Sequence, residues 1–207
     1  PGVGINTKAF NPAADYAEVR AAKRKELGIG DGDILMLSVG ELNRNKNHEV
    51  VLHAMASLDD KRLKYVIAGR GVLKEHLEQL ATELGINDQL QLLGFRTDVR
   101  ELFKAADVFA HPSYREGLSV AVMEAMASGL PVLCSRIRGN TDLIDEGEGG
   151  FMFSPAKSDE VTIALSKIMV AKDLKAGGAY NIEKAKSLDV GAVMEIMREL
   201  YNPVNVL

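Results

Sequence analysis

The chain has 207 residues, of which 46% are hydrophobic and 26% charged, and its formal net charge at pH 7 is −4. This length suffices for a sizeable core in one domain, and the acidic balance argues against a general nucleic-acid-binding protein, which is typically basic. No apolar run approaches the roughly 18 residues of a transmembrane helix, no signal peptide is recognisable, and the single cysteine, Cys134, excludes an internal disulfide. These properties predict a soluble cytoplasmic domain with no nucleic-acid partner.

The first part of the chain contains a turn-rich segment and then a helical pattern over residues 17–27. This helix carries the basic run KRK at residues 23–25, which we interpret as a solvated face. Residues 28–33 are typical of a turn and contain a D-x-D pattern at residues 31–33, a spacing that can hold a divalent cation. Because this pattern precedes the first strand, it lies at the amino edge of the sheet, away from the ligand-binding edge. We therefore predict a turn and no metal site.

Short apolar runs alternate with helical patterns through the rest of the chain. Runs typical of buried strands cover residues 34–39, 63–68, 89–93, 108–110, 132–134 and 151–153. Helical patterns cover residues 73–84, 98–105, 118–128, 142–145 and 161–171, with another that ends near residue 57 and one or two over residues 175–200. This alternation predicts an α/β domain, a Rossmann-like three-layer fold with a mainly parallel six-stranded sheet.

The stretch from Asp107 to Val132 brings two carboxylates to the ligand-binding edge of this sheet. Glu116 lies in a polar loop after a strand, and Glu124 is the only charge in the core helix that follows. Glu124 lies about 9 Å beyond the helix start at Leu118, where unpaired N–H groups form an anion site. A nucleotide-sugar, with sugar, diphosphate and ribose in a row, fits this layout. The alternative is that Glu124 meets an arginine or a backbone amide and that Glu116 is a solvated loop charge.

Glu116 and Glu124 are separated by seven residues, and small residues and a proline follow them: Ala125, Gly129 and Pro131. This pattern resembles the E-x7-E signature of GT-B fold glycosyltransferases of the group 1 or family 4 type, and the similarity extends over about residues 34–153. The resemblance implies a domain that binds a nucleotide-diphosphate sugar as donor for a hexosyltransferase. It also implies retention of anomeric configuration, a role in polysaccharide or glycoconjugate synthesis, and neither a cofactor nor a bound metal.

The resemblance assigns roles within this stretch. Glu116 holds the hydroxyls of the donor sugar, and Glu124 holds the ribose. The amides of Gly117, Leu118 and Ser119 bind the diphosphate at the helix start.

The loop after the first strand has a glycine-arginine pair and then a lysine in this family, and the two cations neutralise the donor diphosphate. Gly40 and Lys46 match the glycine and the lysine, but Glu41 stands at the arginine position. Arg44, three residues further on, is the candidate to replace that arginine. The predicted catalytic residues are therefore Glu116, Lys46 and Arg44. The alternative is that both cations are solvated loop charges.

Two further loops are predicted to line the nucleotide pocket. Gly69 and Gly71 follow the second strand and let the ligand approach the backbone, although a simple turn is an alternative. A nicotinamide-binding G-x-G-x-x-G motif is disfavoured because Lys74 stands at the third glycine position. Phe95 and Arg96 follow the third strand and border the nucleobase by resemblance; alternatively, Phe95 belongs to the core and the next threonine caps a helix.

The domain organisation also follows from the resemblance. Residues 1–30 correspond to an interdomain connection and the first helix, and residues 31–207 to the donor-binding domain. We expect a partner domain N-terminal to this chain, which holds the acceptor, provides any membrane association and covers apolar surface on the terminal helices. The chain alone is expected to be inactive. The competing hypothesis is a nucleotide-binding regulatory module without transferase chemistry.

Overall fold

The computed structural model describes residues 3–12, 15–170 and 174–201. In these ranges the chain forms the strands β1 (Ile34–Val39), β2 (Leu63–Ala68), β3 (Leu90–Gly94), β4 (Val108–His111), β5 (Val132–Ser135) and β6 (Gly150–Phe153). The α-helices are α1 (Tyr16–Glu26), α2 (His48–Leu58), α3 (Lys74–Glu83), α4 (Val99–Ala105), α5 (Val120–Ala127), α6 (Arg138–Thr141), α7 (Ser158–Val170), α8 (Leu174–Ala185) and α9 (Val190–Leu200). The alternation of strands and helices agrees with the predicted α/β architecture.

The strands form one parallel sheet in the order β3-β2-β1-β4-β5-β6. Leu35, Met36 and Leu37 of β1 are buried in succession, as expected for a strand covered by helices on both faces. The chain order reverses between β1 and β4, and in such sheets the reversal opens a crevice at the carboxyl ends of the two strands. The predicted Rossmann-like fold with a six-stranded sheet is confirmed.

Helices cover both faces of the sheet and give the molecule three layers. On one face the core includes Phe103 and Phe109, whose ring centroids are 5.5 Å apart. On the other face it includes Leu52 of α2 and Leu165 of α7. Cys134 lies in the first of these layers, where burial raises the pKa of its thiol. Cys134 is thus a small buried residue of the core.

The basic run at residues 23–25 is not a solvated face, so this prediction was wrong for two of its residues. Lys23 and Arg24 are buried. Lys23 Nζ lies 2.6 Å from Asp98 Oδ2, and Arg24 Nη1 lies 2.8 Å from Asp107 Oδ2. Burial by itself would lower the pKa of Lys23, but hydrogen bonds to carboxylates, Asp98 first, outweigh it and raise that pKa. The cations join α1 to the start of α4 and the start of β4, contacts between distant segments that a local sequence pattern does not encode.

Two helices near the ligand-binding edge begin at other positions than predicted. Helix α5 begins at Val120 because Ser119 is extended and its Oγ accepts a hydrogen bond from the N–H of Val122 at 3.4 Å, which makes Ser119 the N-cap. The short helix predicted over residues 142–145 is instead α6, four residues earlier. Asn140, buried within α6, donates from Nδ2 to the carbonyl of Ser135 at 2.9 Å, and this bond draws the turn back toward the end of β5.

The N-terminal segment packs on the connection between α8 and α9. The N–H of Ile5 donates to the carbonyl of Leu188 at 3.0 Å, and the N–H of Val190 donates to the carbonyl of Ile5 at 2.8 Å. Thr7 Oγ1 donates to Asp189 Oδ2 at 2.6 Å. The segment over residues 175–200, predicted to form one or two helices, forms two, α8 and α9. The predicted domain limits stay a prediction.

Helix α9 exposes Val190, Met194, Ile196 and Leu200, which agrees with the apolar surface expected on the terminal helices. The last residue of the helix predicted over residues 161–171 lies outside the described residues. Within the described ranges, no helix is both long and apolar enough to cross a bilayer.

Candidate functional site

An ion pair occupies the crevice between the loops that follow β1 and β4. Lys46 ends a 3-10 turn over Arg44–Lys46, and its Nζ donates to Glu116 Oε1 at 2.6 Å. Each of the two side chains is about one-fifth exposed. The buried His111 lies at the end of β4, with Nε2 at 3.8 Å from the same Glu116 oxygen. The structure thus brings together Lys46 and Glu116, which the sequence predicted for one site.

The charges of this pair set the electrostatics of the crevice. Burial by itself would raise the pKa of Glu116, but the hydrogen bond from Lys46 and its positive charge lower it overall, so the carboxylate is ionised at neutral pH. Burial, and then the nearby Lys46 charge, lower the pKa of His111 to about 4. His111 is therefore neutral at pH 7 and packs in the core, where it stacks on Phe109 with ring centroids 6.1 Å apart.

Two asparagines flank Lys46 and hold its loop. The carbonyl of Asn45 accepts from the N–H of Tyr114 at 2.8 Å, and Asn45 Nδ2 donates to the carbonyl of Arg115 at 2.9 Å. Asn47 adopts a left-handed conformation, with φ 53°, and its Nδ2 donates to the carbonyl of Pro112 at 3.2 Å.

A further bond from Asn47 Nδ2 reaches the carbonyl of Pro155 at 2.9 Å, in the loop after β6. The loop of Lys46 is therefore fixed against the loop of Glu116 on one side and against the end of β6 on the other. Sequence reasoning missed both asparagines. The signal that was available is the N-K-N run at residues 45–47, since asparagine is one of the few residues that tolerate a left-handed conformation.

The start of α5 faces the same crevice. Within the described residues, the amides of Gly117, Leu118 and Ser119 donate no hydrogen bond. Together with the positive end of the helix dipole, such amides favour an anion. Gly117 and Leu118 precede α5 and Ser119 is its N-cap, so these amides lie directly after Glu116 in the chain. The binding of an anion by them stays a prediction.

Glu124 lies on α5 and is half-buried. Its carboxylate accepts no hydrogen bond from the described residues, so the alternative in which it meets an arginine or an amide by hydrogen bonding is not seen. Burial raises the pKa of Glu124, and the positive charge of Arg100 offsets this only in part. A half-buried carboxylate without a donor is costly, and a ligand with hydroxyl groups would supply the missing bonds.

The glycines after β1 and β2 allow these two loops to touch. A Cβ on Gly69 would lie 1.7 Å from the carbonyl oxygen of Gly40, and a Cβ on Gly71 would lie 2.2 Å from that of Leu42. The N–H of Leu42 also donates to the carbonyl of Arg70 at 2.9 Å. The glycines are therefore required by the contact between two loops, a reason that the sequence alone did not reveal.

A pocket of about 420 Å³ opens where the ends of β1, β2 and β3 meet. Phe95 borders it and is 66% exposed, so the alternative that placed Phe95 in the core was wrong. The guanidinium of Arg70 lies 5.6 Å from the centre of the Phe95 ring. Thr97 does not cap α4, whose N-cap is Asp98 and has no side-chain cap bond.

Arg96 lines the same pocket but its charge is already paired. Its Nη2 donates to Glu26 Oε1 at 2.7 Å, and its Nε donates to Asp98 Oδ1 at 2.7 Å. Glu41 is exposed at the mouth of the pocket and accepts from Asn43 Nδ2 at 2.8 Å.

Arg44 is exposed and lines a different pocket of about 430 Å³, beside Tyr114 and Leu73. The candidate replacement for the family arginine thus lies on the side of α2 and α3, while Glu41 lies in the pocket bordered by Phe95. Within the described residues, no group of three or more His, Cys, Asp or Glu side chains is arranged to hold a metal ion.

Comparison with known proteins decides the family. The family model for glycosyl transferases group 1 matches residues 19–184. The chain belongs to this family. EpsD of Bacillus subtilis, named as a glycosyltransferase, is 35% identical over 204 residues, which are 97% of this chain and 53% of that protein. A D-inositol 3-phosphate glycosyltransferase of Corynebacterium jeikeium is 33% identical over 210 residues, 96% of this chain and 50% of that protein.

Solved structures of other proteins share the fold. HepE of Anabaena, in complex with UDP, superposes with a TM-score of 0.87 at 22% identity, over 96% of this chain and 56% of that one. WaaG, a glycosyltransferase involved in lipopolysaccharide biosynthesis, gives a TM-score of 0.76 at 25% identity, over 93% of this chain and 55% of that one. The predicted membership of the group 1 glycosyltransferases is confirmed. The chain spans about half the length of these relatives.

Proposed function

We propose that this group 1 glycosyltransferase chain binds a nucleotide-diphosphate sugar and is the donor-binding domain of a hexosyltransferase. The observation that carries the proposal is the Lys46–Glu116 ion pair in the crevice between β1 and β4. It is followed directly by the amides of Gly117, Leu118 and Ser119 at the start of α5, which donate no hydrogen bond within the described residues. A cation and a helix start suit a diphosphate, and an ionised carboxylate beside them suits the hydroxyls of a sugar.

The donor would lie along α5 in the order sugar, diphosphate, ribose and base. Glu116 holds the sugar hydroxyls, and Glu124 holds the ribose. The diphosphate lies against the amides of Gly117, Leu118 and Ser119. Lys46, which contacts Glu116 in the free chain, is close enough to share its charge with the diphosphate.

The nucleobase would enter the pocket that Phe95 borders. Its floor is formed by Gly40 and Gly69, and Gly71 maintains the loop contact that shapes it. Because Arg96 is paired with two carboxylates, Phe95 is the better candidate for contact with the base. HepE has been crystallised with UDP and with UDP-glucose, which supports a uridine nucleotide as the first ligand to test.

In transfer, the bond between the sugar and the diphosphate breaks and negative charge develops on the leaving phosphate oxygen. Lys46 and the α5 amides are preorganised to stabilise that charge. Arg44, the other predicted cation, lines a pocket on the side of α2 and α3, so we assign this task to Lys46 in preference to Arg44. We further propose that the anomeric configuration is retained, that no metal ion is needed, and that an N-terminal domain supplies the acceptor.

Saturation-transfer NMR with UDP and UDP-glucose tests the proposal. A donor-binding domain should show contacts to the glucose as well as to the base, and Glu116→Ala should remove the glucose contacts selectively. A second candidate function, a regulatory nucleotide-binding module, is favoured by one observation, Glu41 in place of the family arginine. It predicts contacts to the nucleotide alone.

A further inference from the structure

Three adjacent loops at the carboxyl edge concentrate positive charge. Residues 40–47, 112–119 and 136–141 contain five cations and only two carboxylates, in a chain whose net charge is −4. Two of these cations are paired, Lys46 with Glu116 and Arg136 with Glu146. The other three are exposed and form no ion pair with any residue in the described ranges: Arg44, Arg115 and Arg138. We call these three residues the arginine rim.

The three loops form one continuous surface. Asn45 bonds to Tyr114 and Arg115, which joins the loop after β1 to the loop after β4. A Cβ on Gly139 would lie 1.8 Å from the carbonyl oxygen of Gly117, so the start of α6 touches the loop after β4. Since β1, β4 and β5 are neighbours in the sheet, Arg44 and Arg138 lie on the segments that flank the loop of Glu116, and Arg115 lies on that loop itself.

The Arg44 side of the rim includes a pocket. Arg44 and Tyr114 line this space of about 430 Å³, and Tyr114 is 44% exposed. Glu49, the carboxylate in the lining, lies 3.1 Å from His76 Nε2 and forms no ion pair with Arg44. A planar guanidinium suits the two oxygens of a phosphate, and an aromatic ring beside it offers a face on which a sugar can pack.

We propose that the arginine rim binds the phosphate of the second substrate, so that the acceptor is a phosphate ester of a sugar, either free in solution or linked to a lipid. This inference rests on the proposed donor function. The α5 amides and Lys46 already account for the donor diphosphate. The rim provides three further cations on the loop that carries Glu116, the proposed sugar ligand, and on the two loops beside it. It would hold the phosphate of the acceptor while the proposed N-terminal domain holds the rest.

The test uses the 207-residue chain saturated with UDP, so that the donor site is filled. One arm titrates glucose 1-phosphate, with glucose as the uncharged comparison, by calorimetry. The other arm measures sedimentation with phosphatidylcholine vesicles that contain a polyprenyl-phosphate glucose, against vesicles without it. The variants are Arg44→Gln, Arg115→Gln, Arg138→Gln and the triple substitution. Arg62→Gln is the matched control, because Arg62 is an exposed arginine just before β2, at the opposite edge of the sheet.

We expect binding in at least one arm, none to glucose or plain vesicles, and a loss of about two- to fivefold for each rim substitution, as for exposed charge pairs. The triple variant should lose at least about tenfold, and Arg62→Gln should bind like wild type. The arm that responds identifies the soluble or the lipid-linked source.

Three results would overturn the inference. The first is no binding of the wild-type chain in either arm, and the second is that the triple variant binds as tightly as wild type. The third is that UDP displaces the phosphate ligand. The last would place the rim in the donor site. Failure of wild-type chain to bind UDP would instead refute the proposed function, and the same titrations without UDP would still report on the rim.

Discussion

Glu124 has a carboxylate that the described part of the free chain leaves without a hydrogen-bond donor. Its raised pKa means that the folded chain holds a proton on Glu124 more tightly than the unfolded chain does. Stability is therefore reduced as pH rises from the ordinary glutamate range through the raised pKa. At neutral pH, Glu124 therefore lowers the stability of the free chain, and a ligand that donates hydrogen bonds to its carboxylate would offset this cost.

Glu124→Gln should weaken UDP binding while leaving the chain at least as stable as wild type at pH 7. A charge-assisted hydrogen bond is worth roughly 1.5–3 kcal/mol, or about ten- to a hundredfold in affinity. Calorimetry with UDP and urea denaturation measure the two effects, with the exposed Glu75→Gln on α3 as control. Unchanged affinity in a folded variant would show that Glu124 does not hold the ribose.

Glu116 and Lys46 contact each other but should respond to substitution differently. Glu116→Ala should spare UDP and weaken UDP-glucose by about tenfold, because only the sugar loses its partner. Lys46→Ala should weaken both ligands, and by more than Arg44→Ala does. Competition between UDP and uridine separates the effect on phosphate from the effect on the base. Equal losses of UDP and UDP-glucose in Glu116→Ala would contradict the sugar assignment.

At the scale of elements, Asn47 links the start of α2 to the ends of β4 and β6. Its two side-chain hydrogen bonds and its left-handed backbone act together. Asn47→Gly keeps the backbone conformation and removes only the bonds, whereas Asn47→Ala also adds the strain of a left-handed alanine.

We expect both Asn47 variants to fold, with alanine the less stable by about 1 kcal/mol, and both to weaken UDP-glucose more than uridine. The reason is that Lys46 loses its fixed place beside Glu116. Denaturation and calorimetry check the two parts. If Asn47→Gly matched wild type toward UDP-glucose while Lys46→Ala did not, the asparagine would have only a structural role.

A polar network beneath the same loop should make the fold sensitive to acid. His48 Nδ1 and Ser38 Oγ each lie 2.8 Å from the hydroxyl of the fully buried Tyr65. Burial is the main cause that lowers the pKa of His48 to about 4. Below pH 6.5 the unfolded chain therefore binds a proton that the folded chain cannot bind until about pH 4.

The free energy of unfolding should accordingly decrease as the pH is lowered from 6.5 to 4, and His48 should account for roughly 3 kcal/mol of this decrease. His111 should act in the same direction. Urea denaturation at several pH values measures the slope. His48→Gln should flatten it, and His53→Gln, an exposed control on α2, should not. An unchanged slope in a folded His48→Gln would show that this histidine does not set the acid sensitivity.

For the whole molecule, local patterns predicted the sheet because each strand is a short apolar run between helices. The resemblance of the E-x7-E pattern predicted one site for Glu116 and Lys46, and the structure places these two side chains in contact. What they could not predict depends on contacts between distant segments. The burial of Lys23 and Arg24 requires Asp98 and Asp107 from other elements. The need for Gly69 arises from the carbonyl of Gly40, in another loop.

The position of Arg44 could not be predicted from the sequence either, because the 3-10 turn that carries it is fixed by hydrogen bonds between the loops after β1 and β4. The arginine rim is a property of the same assembly. Its members lie on three loops that are up to 94 residues apart in the chain and meet only because β1, β4 and β5 are neighbours in the sheet.

The last prediction concerns the activity of the 207-residue chain. The proposed donor contacts, from Lys46, Glu116, Glu124 and the start of α5, all lie within it, so the chain should bind UDP-glucose on its own. Transfer requires an acceptor held within about 3–3.5 Å of the anomeric carbon, and this positioning supplies much of the rate. If an N-terminal domain forms the second wall of the cleft, as proposed, the chain should bind the donor and transfer no sugar. Calorimetry and a radiolabelled transfer assay measure the two properties, with Glu116→Ala as the control for donor binding. Sugar transfer by the purified chain would show that these residues alone position an acceptor, and the proposed second domain would then be unnecessary for catalysis.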